Sequence, residues 1–141
     1  MSTALAKRLD LHFRLHADLA ATLGHEQLAS KLGDLRSNRI GQQLQCIVGV
    51  REMVETTLRT GDNPGFHPSL QETDDPEQVR TALDQTAERL RAVLGDDIAP
   101  EHEERCLQLL EHEAGHAGQL LRYLLGLRLE VPASWTKYFD L

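Results

Sequence analysis

Residues 75–95 read DPEQVRTALDQTAERLRAVLG, and this stretch sets the fold class. Asp75 is placed to cap the first free backbone N–H groups of a helix. Pro76 takes the first helical position, where its missing N–H costs nothing, and Gln78 stands at the capping-box position. Val79, Leu83, Leu90 and Leu94 then recur at helical spacing until Gly95 ends the pattern. Upstream, Ser37 or Asn38 caps another long helix whose inward stripe is Ile40, Leu44, Ile47, Val50, Val54 and Leu58, stopped by Gly61 in GDNPG. The segment from Ser2 to Leu23 carries Leu5, Leu9, Phe13, Ala20 and Leu23 at the same spacing and ends at Gly24. Residues 25–36 hold a short helical pattern (Leu28, Leu32, Leu35) broken by Gly33. Downstream, Pro100 opens a last long helix running to about Leu127, with Leu109, Leu120, Tyr123, Leu124 and Leu127 inward.

No segment alternates with period two, and no internal repeat is visible. The 25 Leu and 13 Ala against six Val and three Ile favour helix, because straight and unbranched side chains lose little freedom there. Four long amphipathic segments predict an all-α fold, a single four-helix bundle domain over residues 1–141. The link from Gly61 to Asp75 exceeds the usual helix–helix connection of roughly two to eight residues. It contains Pro64 and Pro68, so it is read as a long crossover. Helix three then runs parallel to helix two, in up-down-down-up topology. A lid contacting a site through His67 is the functional alternative.

A net charge of −7 and a pI near 5.4 argue against nucleic acid, which needs a concentrated basic surface. No apolar run reaches membrane-spanning length, and the start MSTALAKRLDLHF lacks a signal-peptide core, so neither membrane nor export is expected. Cys46 and Cys106 are too few for a disulfide framework and suit a reducing cytoplasm.

The densest polar cluster on an apolar helix is His112-Glu113-Ala114-Gly115-His116. Histidines four apart lie about 40° apart around a helix, so both imidazoles face one way and suit two ligands of one ion. Gln119 and Tyr123 fall on the same sector. The bland alternative is a solvated or merely hydrogen-bonded pair. The string also matches the zinc-protease pattern H-E-x-x-H, but Ala117, Gly118 and Gln119 break its extended form and no sheet is present to hold a substrate. Glu113-Ala-Gly-His116 matches the di-iron Glu-x-x-His, yet a second copy on another helix is missing.

The stretch HEAGHAGQLLRYLLGLRLEVP (residues 112–132) resembles the last-helix motif of the DinB/YfiT-like superfamily of metalloenzymes, usually His-x-x-x-His-Arg-Gly-Gln followed by Leu and Tyr. IGQQLQCIVGVRE (residues 40–52) resembles that family's second-helix motif, in which a Leu-x-His-Ile core supplies the first of three histidine ligands. Together the two stretches cover about a quarter of the chain. Two positions depart: Cys46 stands where the first histidine belongs, and Ala117 replaces the arginine after the last one. Carried over by position, the resemblance implies a metal site of Cys46, His112 and His116. Two imidazoles and a thiolate suit zinc first, with nickel or manganese as further candidates, and leave a fourth position open. The anionic sulfur makes such a site a weaker Lewis acid than three neutral imidazoles. The alternative for Cys46 is a small apolar residue at the stripe's edge.

His12 and His16 lie within about 20° of Leu5 around the first helix, inside or beside its core face. Either they line the metal cavity, as an extra ligand or a ligand's partner, or they sit wet at the bundle's rim. Gln43, one turn before Cys46, is a pocket candidate with Gln119 and Tyr123; Gln42 faces the pocket or solvent. Glu101, Glu103 and Glu104 suit the dipole at the last helix's start. Trp135 and Phe139 in the aromatic tail dock on the bundle, a homodimer contact being the alternative. The family resemblance implies a metal-dependent transferase, or a related hydrolase or isomerase, acting on a small-molecule substrate with a low-molecular-weight thiol. The alternatives are a non-catalytic small-molecule-binding or stress-response scaffold, and a redox protein reacting through Cys46.

Overall fold

All regular structure among residues 3–141, which the computed structural model describes, is helical. The elements are α1 (Thr3–Thr22), α2 (His25–Leu28), α3 (Ile40–Thr60), α4 (Pro76–Leu94), α5 (Glu103–Gly126) and α6 (Ala133–Phe139), with a 3-10 turn at Pro100–His102 leading into α5. Ser2, the expected start of the first helix, lies outside the described residues.

Local chemistry accounts for most of these ends. The Asp75 carboxylate accepts from the backbone N–H groups of Glu77 and Gln78 at 3.0 and 3.3 Å. The Gln78 side chain donates to that carboxylate at 3.0 Å instead of closing a capping box on the backbone. Gly61 ends α3 at φ +82°, in the left-handed region where a Cβ is costly. The start of α3 differs from expectation. Its N-cap is Arg39, neither Ser37 nor Asn38, because Gln42 Oε1 already accepts the Arg39 N–H at 2.9 Å. Asn38 serves through its carbonyl, which accepts from the Tyr123 hydroxyl at 2.6 Å.

Each of the four long helices packs on two others: α1 on α4 and α5, and α3 on α4 and α5. Arg80, in the first turns of α4, donates to the carbonyls of Ala20 and Leu23 at the end of α1. Arg91, near the end of α4, donates to Asp10 on α1 at 2.7 Å. The interior divides into two apolar clusters. One gathers Leu5, Leu9, Phe13, Val54, Leu90, Leu94 and Leu109 around Cys106. The other gathers Leu15, Leu19, Leu44, Ile47, Leu83, Leu120 and Trp135. On every long helix the switch between clusters falls at buried polar residues: His12 and His16 on α1, Arg51 on α3, Thr86 on α4 and Glu113 on α5. A polar layer therefore crosses the interior between two apolar ones. Val50, expected on the inward stripe of α3, is only half-buried, and Arg51 takes the buried place. Leu58 and Leu127, at the helix ends, are likewise half-buried.

The 61–75 connection is strapped along α3. The Phe66 ring lies so close to Gly49 that a Cβ there would collide with it, and the Thr73 carbonyl does the same at Gly41. Between them, Ser69 N–H donates to Glu52 Oε1 at 2.9 Å and Gln45 Nε2 donates to the Leu70 carbonyl at 2.8 Å. The segment thus returns from the end of α3 to its beginning before α4 starts. His67 on it is exposed. The tail folds as α6 and clamps α1: Trp135 is fully buried and its indole N–H donates to the Leu15 carbonyl at 2.6 Å.

Candidate metal centre

His112 and His116 stand on one face of α5 with their rings 4.6 Å apart. Facing them from α3 is Cys46, whose Sγ lies 3.4 Å from His112 Nε2. One donor atom each from Cys46, His112 and His116 falls within 4.8 Å of the others, and no other group of three His, Cys, Asp or Glu donors converges like this among the described residues. The trio is half-buried. One turn earlier on α3, the buried Gln43 places Oε1 3.2 Å from His116 Nδ1. An amide oxygen only accepts, so Nδ1 carries the proton and Nε2 keeps a lone pair.

These donors fit a small divalent ion. Zinc bonds of ~2.3 Å to sulfur and ~2.0–2.1 Å to nitrogen, at a tetrahedral angle, set the two donors ~3.5 Å apart. The 3.4 Å between Cys46 and His112 is already close to that. Both imidazoles are held neutral, the form that binds metal. Burial lowers the pKa of His112, and burial with the neighbouring His112 and His16 lowers that of His116 to about 4. Burial pushes the Cys46 thiol up, so without a metal it is not an activated nucleophile, which weighs against the redox reading.

One residue along α5, Glu113 is turned about 100° away and is fully buried. Its Oε1 accepts from Arg51 Nε at 2.6 Å, and Oε2 lies 3.2 Å from His16 Nδ1, though off the line of a hydrogen bond. Burial alone would raise the Glu113 pKa, but the charges of Arg51 and His16 and the hydrogen bond from Arg51 outweigh it and hold the carboxyl at about 2. Arg51 is satisfied further by the Leu83 carbonyl at 3.0 Å and stacks 4.7 Å over the Phe13 ring. Glu113 is therefore engaged in the interior and is not free to act as the base of a zinc-protease motif.

His12 and His16 are both fully buried and neither joins the three close donors. His16 belongs to the Glu113 cluster, and His12 Nε2 lies 3.3 Å from the Tyr138 hydroxyl. Burial, with His16 nearby, lowers the His12 pKa to about 4. Gln119 and Tyr123 share with His116 and Gln43 the wall of a cavity of about 320 Å³, completed by residues 36–38 ahead of α3. Gln42 faces the α3 cap. Cys106 is a core residue, its thiol pushed to about 11 by burial and by Glu103.

The Arg51–Glu113 pair escaped the sequence reading, although a signal was there. Arg51 falls between Ile47 and Val54 on the buried stripe, and Glu113 falls midway between Leu109 and Ala117. Opposite charges on two apolar stripes are a pairing signal. Compared with known proteins, the chain matches no family model, no curated protein and no solved structure.

Proposed function

We propose that this chain is a metal-dependent enzyme on a four-helix bundle of up-down-down-up sense, holding one divalent ion through Cys46, His112 and His116. The observation that carries the proposal is the convergence of one thiol and two neutral imidazoles within 4.8 Å, beside a cavity they partly line. The chain sense is supported by Arg80 meeting the end of α1, by Arg91 meeting Asp10, and by the return of the 61–75 segment along α3. The resemblance of residues 40–52 and 112–132 to DinB/YfiT-like metalloenzymes supports thiol-dependent group transfer, or a related hydrolysis or isomerisation, on a small molecule. Zinc suits this donor set best, with nickel and manganese behind it. When bound at two imidazoles and a thiolate, such an ion supplies Lewis-acid activation of a thiol or water nucleophile.

The chain's own residues supply the rest. Gln43 fixes the ring of His116, and such partners of ligands set both orientation and basicity. Tyr123, anchored on the Asn38 carbonyl, holds the segment ahead of α3 against α5 and so shapes the cavity. Gln119 presents an amide to whatever occupies it. The two free cysteines support a reducing, cytoplasmic setting.

One observation favours the second reading, a non-catalytic small-molecule-binding or stress-response scaffold. No carboxylate lines the cavity, and the one beside the ligands is sealed against Arg51. Elemental analysis of the untagged full chain tests the metal site. One equivalent of metal is expected, lost in Cys46→Ala and in His116→Ala. A metal-free wild type, with zinc affinity no better than the double variant, refutes the proposal. Acceleration of a small thiol's attack on an aryl halide by the loaded chain then separates enzyme from scaffold.

A further inference from the structure

The cavity beside the ligands has a chemical bias of its own. Residues 36–38, Gln43, His116, Gln119 and Tyr123 form its wall, so it contains one full positive charge, on Arg36, and no carboxylate, in a chain of net charge −7. Arg36 is exposed, and neither an ion pair nor a hydrogen bond occupies its guanidinium among the described residues. The side-chain amides of Gln119 and Asn38 are likewise uncommitted, whereas Ser37 donates to the Leu35 carbonyl, Gln43 is engaged with His116, and Tyr123 donates to the Asn38 carbonyl. An unpaired guanidinium and free amides therefore line one open cavity together with the His116 imidazole, and they offer N–H donors to an anion.

We propose that the ligand of this cavity is a small carboxylate, with Arg36 as the residue that selects it and the opposite end of the ligand directed at His116, the member of the Cys46–His112–His116 trio that lines the cavity. This deepens the metal-site reading and rests on it for that second end only. A volume of about 320 Å³ lies at the small end of ligand pockets and suits a small molecule. One guanidinium balances one negative charge. In the metal-free chain a phosphate monoester, carrying between about −1.5 and −2 near neutral pH, would leave charge that the single Arg36 does not balance.

The test is titration of the 15N-labelled full chain with butyrate and with its neutral counterpart butyramide, with and without one equivalent of zinc. The amide shifts of Gln43, Gln119 and Tyr123 are followed. Butyrate is expected to bind about tenfold more tightly than butyramide, the size of one charge-assisted contact. Arg36→Gln should remove that preference and leave butyramide binding unchanged, while Arg36→Lys restores part of it. Arg36 is exposed, so the variants keep the fold. Equal affinities, shifts confined elsewhere, absence of butyrate binding, or a preference that survives Arg36→Gln overturns the assignment. A preference seen only with zinc and indifferent to Arg36→Gln puts the carboxylate on the ion and also overturns it. A chain that takes up no zinc refutes the metal reading separately, and the metal-free titration still judges the cavity.

Discussion

Two environments grow from one pentapeptide. His112 and His116 lie on a half-buried face of α5, opposite Cys46 and beside a cavity, while Glu113 between them faces the sealed interior with Arg51 and His16. The first region collects neutral, soft donors with room beside them. The second collects full charges and encloses them. Opposite charges repay their desolvation only when closely paired, and a metal site needs a face that a ligand can reach. A rotation of about 100° per residue around the helix suffices to separate the two uses.

Breaking the sealed region should have the largest effect. Glu113→Ala strands the buried Arg51 charge and is expected to cost ~3–5 kcal/mol in urea unfolding, whereas Arg51→Met with Glu113→Leu should cost far less. Equal losses in the single and double variants would show that the pair is not the source. In the open region, Gln43→Ala releases the His116 ring and should weaken zinc binding ~10–100-fold in competition with a chelator. Unchanged affinity would remove Gln43 from the site.

The gentlest effect is a pH slope in the metal-free chain. The imidazoles of His12 and His116 have pKa values of about 4 in the fold against an ordinary 6.5. Between those values the unfolded chain binds protons that the fold refuses, so stability is full above 6.5 and declines as pH falls toward 4. Glu113 extends the loss in the same direction, from its ordinary 4.5 down to about 2. Each group contributes at most ~1.4 kcal/mol per pH unit within its window. Urea midpoints from pH 7 to pH 4 check this, and a flat or rising stability on acidification contradicts it.

The legible parts of the molecule were those written in local spacing. Asp75, Pro76 and Gly95 mark both ends of α4 because capping involves neighbours within one turn. His112 and His116 are visible as a pair because four residues bring side chains to one helix face. Cys46 came only through the family resemblance, since its partner lies 66 residues away and spacing along the chain says nothing of that distance. The Arg51–Glu113 bond, 62 residues apart, was missed for the same reason. The α3 cap was misplaced because tertiary demand won: Tyr123 claims the Asn38 carbonyl, and Gln42 caps from inside the helix. The polar layer between two apolar clusters is a property of four helices together, and no single amphipathic stripe displays it.

The central claim is that one thiolate and two imidazoles share an ion on the open side of α5. X-ray absorption of the zinc-loaded chain tests it most directly. The account predicts one sulfur at ~2.3 Å and two imidazole nitrogens at ~2.0–2.1 Å, with the sulfur shell absent in Cys46→Ser. A shell of nitrogen and oxygen alone in the wild type, or a sulfur shell that survives loss of Cys46, would contradict it.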